Sequence, residues 1–334
     1  MYKISVVIPT FNRCDSVRRA LTALSAQTFP AGDFEVIVSI DGSEDGTREM
    51  VSGFSSPYEL KYIWKQNGGK ASACNRAIQE TNGDLLVMID DDMEPTPEFL
   101  RGHHESHQKN PRAGVLGAAP IILDGDPPPV VTYIADKFNT HLEKISQPGF
   151  KIRIWDFYGG NFSIKKELIS EIGPFDESYK AYGFEDVEFA NRILKSGIRI
   201  IYSGDAKCIQ HYDDDYKGVA RKTINTGKNV IHLVSSHPET FNELKLIEYN
   251  FTGWKWRSLR MAMIRLSMLM PFITNLIIYL VDWAGKHKPH QFARLNGLAM
   301  DYFFWLGVWI ALRTNKNRKE LESRIKSYQR PKDV

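Results

Sequence analysis

The sequence predicts an α/β protein in which a mixed, mainly parallel sheet is flanked by helices and followed by a helical C-terminal extension. Three observations predict it. Short apolar runs, each followed by a polar or glycine-bearing turn and then a helix-spaced pattern, recur through the first hundred residues. From 113 to 164 the runs shorten and loops break them. Beyond about 250, long stretches without charge appear.

Taken in order, the strands are expected at 3–9, 34–40, 60–64 and 84–89. Residues 15–26, 44–54, 71–81 and 97–109 carry helical spacing, and Pro97 suits a first helical turn. The stretch from Asp124 to Pro129 ends in three consecutive prolines, which exclude a central strand, so 113–164 reads as a mixed extension of the sheet. Next come a helix over 185–196 stopped by Gly197, a strand over 198–202 and a short one near 207–211.

In the last segment, 266–281 has no charge and 295–312 has only Asp301. A span needs roughly 20 predominantly apolar residues, and Pro271, Asn275 and Asp301 interrupt these runs. Basic residues flank and join them: Lys255, Arg257, Arg260 and Arg265 before, Lys286 and Lys288 between, Arg313, Lys316, Arg318 and Lys319 after. Positive charge on every connection suits a helical pair lying in or dipping into a cytoplasmic leaflet, with tryptophans near the interface. A soluble helical subdomain or a dimer interface gives the same pattern.

Composition bounds the rest. The chain has 334 residues, 43% hydrophobic and 25% charged, which suits one large domain or one with an appendage. A net charge of +3, evenly spread, argues against nucleic acid as a partner. Cys14, Cys74 and Cys208 are widely separated, as expected of free thiols in a reducing compartment. Met-Tyr-Lys leads directly into the strand Ile4 to Ile8, without the features of a signal peptide.

Polar residues end the proposed strands: Thr10 after the first, Asp41 after the second, and Asp90, Asp91 and Asp92 after the fourth. Ligands of open α/β sheets bind at that edge. Three adjacent carboxylates repel one another unless a cation neutralises them, and hard oxygen ligands suit Mg2+ or Mn2+. A solvated loop capping the next helix is the competing reading. The triplet Asp213 to Asp215 follows no long apolar strand and reads as such a loop.

Gly68, Gly69 and Lys70 open a helix whose N-terminus can hold an anion, with Lys70 as a candidate diphosphate contact; an ordinary charged surface helix is the equal alternative. Glu185 and Asp186 stand at another helix start, where the helix dipole favours their ionised form. His211 can ligate a metal or serve structure alone. Gly159, Gly160 and Asn161 allow a close backbone approach or a tight turn.

The segments S-V-V-I-P-T-F-N-R at 5–13, D-G-S-E-D-G-T at 41–47 and I-D-D-D-M-E-P-T-P at 89–97 resemble those of family 2 glycosyltransferases, which share the Rossmann-like GT-A fold. G-G-N-F-S-I at 159–164, G-P-F-D-E at 173–177 and G-F-E-D-V-E-F at 183–189 continue the resemblance, which covers roughly 3–212. It implies base contacts for Thr10 and Asp41, a ribose contact for Asp90, donor binding at Asp91, and metal ligation by Asp92 in a DxD motif, with His211 completing the shell. It also implies Asp186 as general base, Glu185 as an acceptor-binding partner, and Gly159, Gly160 and Asn161 beside the acceptor. The family's Ala-Arg-Asn triplet is here Ala73-Cys74-Asn75, so its arginine is missing.

The chain is then expected to comprise a nucleotide-sugar-binding half at 1–112, an acceptor-binding half at 113–250 and a helical, membrane-associated region at 251–334. The implied activity is metal-dependent, inverting transfer of one sugar from a nucleotide diphosphate donor, with UDP favoured, to a hydroxyl of a glycan or lipid-linked acceptor. The implied place is the cytoplasmic face of a membrane, peripheral or monotopic. Gln291 to Arg294 is followed by Leu295, not the tryptophan of the Q-x-x-R-W motif of processive synthases, which favours single transfer. A retaining transferase, a nucleotidyltransferase and a non-catalytic glycan-binding scaffold are the alternatives.

Overall fold

The computed structural model describes residues 3–123, 125–180 and 183–328. The chain forms two compact units, one of Met1–Asp124, Ala135–Ala181 and Glu185–Tyr212, the other of Gly125–Ile134, Tyr182–Phe184 and Asp213–Val334.

The first unit begins with β1 (Ile4–Thr10), α1 (Cys14–Ser25), β2 (Phe34–Asp41), α2 (Thr47–Ser52), β3 (Glu59–Lys65), α3 (Lys70–Gln79) and β4 (Leu85–Ile89). Every residue of β1, β2 and β4 is buried, as befits strands covered on both faces. Alternate side chains go to opposite faces. Ile4, Val6 and Ile8 pack with Val17, Leu21 and Leu24 of α1, while Val7, Ile37 and Leu86 pack with Ala71, Ala77 and Ile78 of α3. β3 lies at the sheet edge, where none of its residues is fully buried, and carries Lys61 and Lys65.

There follow β5 (Met93–Pro95), α4 (Phe99–Lys109), β6 (Ala113–Gly117), α5 (Pro129–Ile145), β7 (Asn161–Lys165), α6 (Lys166–Ile172), α7 (Glu185–Lys195), β8 (Arg199–Ser203) and β9 (Cys208–Gln210). The main sheet has the order β3-β2-β1-β4-β7-β6-β8. β1 runs parallel to β2 and β4, and β7 is antiparallel to both β4 and β6. β5 and β9 form a separate antiparallel pair, with Met93 opposite Gln210. Because the chain moves outward from β1 to β3 and returns to β4 on the other side, a topological switch point opens at the ends of β1 and β4.

Two expectations are corrected here. Helix α5 occupies part of the stretch read as strands and loops: Val130, Val131, Ala135, Leu142 and Ile145 are buried, and Pro129 takes the first helical position, where no N–H is needed. Asp124 lies outside the described residues. Helix α4 starts at Phe99, so Pro97 precedes it instead of entering its first turn.

The second unit contains α8 (Tyr216–Ser236), α9 (Trp254–Leu269), α10 (Phe272–His287), α11 (Pro289–Thr314) and α12 (Arg318–Ser327). Asp215 caps α8 by accepting from the Gly218 amide at 2.6 Å, and Asp214 pairs with Lys222. The second acidic triplet is therefore a helix start. α8 and α11 meet backbone to backbone: a Cβ on Gly227 would stand 2.0 Å from the Phe304 carbonyl oxygen, and one on Gly307 1.9 Å from that of Ile224.

Arg260 of α9 is fully buried, donates to Asp301 of α11 at 2.6 Å and lies 4.9 Å from the centre of the Trp305 ring. Of the two uncharged runs, the second is core, with Tyr302 through Trp309 all buried. Among the described residues α11 alone is long and apolar enough to cross a membrane, and 61% of its most apolar window is buried inside the protein. The first run differs, because α10 leaves Phe272, Leu276, Tyr279, Leu280 and Trp283 exposed.

Candidate active site

Strand ends deliver the polar residues to the switch point. Thr10 closes β1 and donates through Oγ1 to Asp91 Oδ2 at 2.7 Å. Burial pushes the Asp91 carboxyl up to about 7, with Asp92 and Asp90 adding repulsion and the Thr10 bond opposing the rise. Asp41 closes β2 and is almost fully buried. Its Oδ1 accepts from Lys65 Nζ at 2.5 Å and from the Gly68 amide at 2.9 Å, and its Oδ2 from the Gly69 amide at 2.8 Å. Asp41 thus holds the glycine loop in place, a task that the sequence had not suggested.

That loop sets Lys70 at the first position of α3. Its Nζ lies 2.5 Å from Asp90 Oδ1 and 3.8 Å from Glu185 Oε1. Burial lowers the lysine pKa, but Asp90, Glu185 and Asp186 outweigh it and hold Lys70 well above the ordinary lysine value. Arg76 takes no part, because it pairs at the surface with Glu80 and Gln79. Asn75 braces the 173–177 loop, donating to the Phe175 carbonyl and accepting from the Phe175 amide, both at 2.9 Å.

Glu185 and Asp186 open α7. Phe184, just before them, has φ of +76°, a conformation that bulky residues avoid and that costs about 1–3 kcal/mol. No sequence pattern announced this strained entry. Burial, then the charge of Asp186, push Glu185 up to about 7 against the pull of Lys70. Asp186 accepts from the Gly159 amide at 3.0 Å and the Val187 amide at 2.8 Å. A carboxylate offers about four lone-pair sites, so it retains capacity for an incoming hydroxyl.

The glycines before β7 permit this close approach. A Cβ on Gly159 would lie 3.0 Å from Asp186 Cβ, and one on Gly160 2.6 Å from Met93 Cε and 3.1 Å from Asp90 Oδ2. Asn161 behaves differently from the expected acceptor contact. It is fully buried, donating to the carbonyls of Ala118 and Ala206 and facing His103 Nε2 at 2.9 Å. Its side chain ties sheet to loops.

A narrow recess lined by Lys70, Cys74, Asp90, Gly159, Glu185 and Asp186 gathers these groups. Cys74 is inert there, its thiol pushed up to about 12 by burial.

Asp92 and His211 lie on the β5–β9 side. Asp92 Oδ2 accepts from Gln210 Nε2 at 3.0 Å, its carbonyl accepts from the His211 amide at 3.0 Å, and His211 Nε2 is 2.7 Å from Glu94 Oε2. No pattern in the sequence singles out Glu94 as this partner. Among the described residues no group of three or more His, Cys, Asp or Glu side chains could hold a metal ion. The donors do not make an all-protein metal cage; Asp92 and His211 would supply at most part of an ion's shell.

Comparison with known proteins identifies the family and the fold. The profile of Glycosyl transferase family 2 matches residues 5–173, and that of the N-terminal domain of galactosyltransferase matches 140–213. Validoxylamine A glucosyltransferase of Streptomyces hygroscopicus subsp. jinggangensis is 27% identical over 268 residues, covering 72% of this chain and 62% of that protein. The match therefore spans less than two thirds of that relative's length. Among solved structures, the mannosyltransferase PcManGT from Pyrobaculum calidifontis, in complex with GDP-Man and Mn2+, superposes with a TM-score of 0.59 at 19% identity over 93% of this chain and 87% of its own. S. aureus TarS 1–349 in complex with UDP-GlcNAc gives 0.53 at 15% over 91% and 90%. At these identities the structural likeness is one of fold.

Proposed function

Because the chain belongs to glycosyl transferase family 2, we propose that it transfers a single sugar from a nucleotide diphosphate donor to a hydroxyl of a glycan or lipid-linked acceptor, with inversion. The observation that carries this reading is the convergence of Lys70, Asp90, Glu185 and Asp186 in one recess at the switch point of the sheet. Nucleotide-sugar donors in two proteins of like fold support the donor class. UDP is the favoured carrier.

In this reading Thr10 and Asp41 line the base site, Asp90 and Asp91 the ribose and phosphate side, and Lys70 the diphosphate. The acceptor hydroxyl gives its proton to Asp186 as its oxygen attacks the anomeric carbon. The new C–O bond forms while the bond from that carbon to the phosphate oxygen breaks, and nucleotide diphosphate leaves with the electron pair. Glu185 orients the acceptor. Asp92 and His211 would hold a Mn2+ or Mg2+ ion, which supplies charge stabilisation for the leaving diphosphate. The acceptor is presented at the cytoplasmic face of a membrane, consistent with polysaccharide or glycolipid assembly.

The test is nucleotide diphosphate release from a panel of nucleotide sugars, with Mn2+ or Mg2+ and membrane extract as the acceptor source. Metal-dependent release from one donor, lost in Asp92→Ala and in Asp186→Asn while Asp186→Asn still binds the donor, is the expected result. Absence of release and of nucleotide binding with every donor would overturn it, and product with the donor's own anomeric configuration would overturn inversion.

A further inference from the structure

Among the described residues, α9 and α10 each present a row of exposed large apolar side chains, and their chemistry points to what would cover them. Along α10, Phe272, Leu276, Tyr279, Leu280 and Trp283 recur at helical spacing and are 62%, 48%, 65%, 51% and 40% exposed. Leu259, Leu266 and Leu269 add an exposed row on α9, Leu269 at 76%. Large exposed apolar patches on soluble proteins mark interaction surfaces or membrane contacts. The opposite side of each helix is anchored, through Arg260 and Ile264 on α9 and through Val281 and Ala284 on α10.

Charge selects the partner. Residues 251–295 carry five exposed lysines and arginines, Lys255, Arg265, Lys286, Lys288 and Arg294, against a single carboxylate, Asp282, which pairs with Lys286, while Arg260 is buried against Asp301. The exposed Lys286 and Lys288 stand at the end of the α10 stripe, and Lys288 Nζ lies 5.5 Å from the centre of the Trp283 ring. An apolar stripe ending in aromatic and basic residues matches the acyl boundary and anionic headgroups of a bilayer. A second copy of this chain fits less well, because a two-fold contact presents the same basic rim to itself. Crossing the bilayer is excluded for α10 by length, since its 16 residues fall short of the roughly 20 required.

We propose that α9 and α10 lie in the plane of an anionic membrane surface with these side chains in the headgroup region, while α11 stays inside the protein. This assignment rests on the reading of a membrane-presented acceptor, and names the surface that would meet the membrane.

Binding is measured without donor or acceptor, so its outcome is separate from that of the transferase reading. The full chain is floated with vesicles of phosphatidylcholine alone or with about a third phosphatidylglycerol, at low and high salt. The wild type is expected on the anionic vesicles, more weakly at high salt. Leu276→Glu with Leu280→Glu should weaken binding by more than about tenfold, since burying each leucine is worth about that factor. Lys286→Glu with Lys288→Glu should erase the preference for anionic lipid. Circular dichroism and melting temperature verify that these variants fold. A folded wild type that stays off the vesicles, variants that bind as it does, or a lipid-free dimer that Leu276→Glu with Leu280→Glu splits would each overturn the proposal.

Discussion

Asp41 spends one carboxylate on three donors, and each belongs to the segment that delivers Lys70. Asp41→Asn keeps the shape but sets an amide NH2 against backbone N–H groups and leaves Lys65 without its counter-charge. Donor KM should rise by about tenfold to a hundredfold, the effect of about 1–3 kcal/mol from a buried donor left unmatched, with a smaller change in kcat. Steady-state kinetics decide, and a fall in kcat at constant KM would instead place Asp41 in the chemical step. Glu185 gives a test in pH. Its carboxyl is raised from 4.5 to about 7 by burial and by Asp186, so the folded chain holds that proton more tightly than the unfolded one. The stabilisation is complete below pH 4.5 and is lost as pH rises through about 7. Glu185→Gln stays neutral throughout and should gain about 1–3 kcal/mol on the wild type between about pH 5 and pH 8 in urea unfolding. An unchanged difference between the two proteins across that range would rule this out.

At the scale of elements, the junction of α9 with α11 depends on a charge that cannot reach water. Asp301→Ala leaves the buried Arg260 without its anion and should cost the second unit about 3–5 kcal/mol, seen as a lower denaturation midpoint. Replacing both partners with apolar residues should cost less, because no uncompensated charge remains. The strands around the site were legible because fully buried parallel strands are apolar throughout and their polar successors mark the ligand edge, as at Thr10, Asp41 and Asp90. α5 was hidden by the run Pro127 to Pro129, which looks like a loop until its last proline proves to be the helix start. Asn161 and His103 could not be read as a buried pair, since 58 residues separate them and only the packing of α4 on β7 brings them together. The run 295–312 was ambiguous for a related reason: a helix largely buried in protein has a composition close to that of one immersed in lipid.

For the whole molecule, the proposed metal-assisted transfer predicts that metal and donor bind as linked partners, because Asp92 and His211 would leave most of an ion's shell to the diphosphate and water. Mn2+ alone should bind at about millimolar Kd and tighten at least about tenfold with nucleotide diphosphate, so the melting temperature should rise markedly only when both are present. A full rise with Mn2+ alone would reveal an all-protein site. The sheet order has a consequence of a different kind. β4 is paired on one side by β1 but waits on the other for β7, which is made some seventy residues later, and β6 has only β7 and β8 as neighbours. On the ribosome, at about 5–20 residues per second, the nascent chain can therefore assemble β1 to β4 and then stand for several seconds with an apolar, unpaired edge. That interval is when a chaperone would have most to cover, and slow codons placed before β7 would lengthen it.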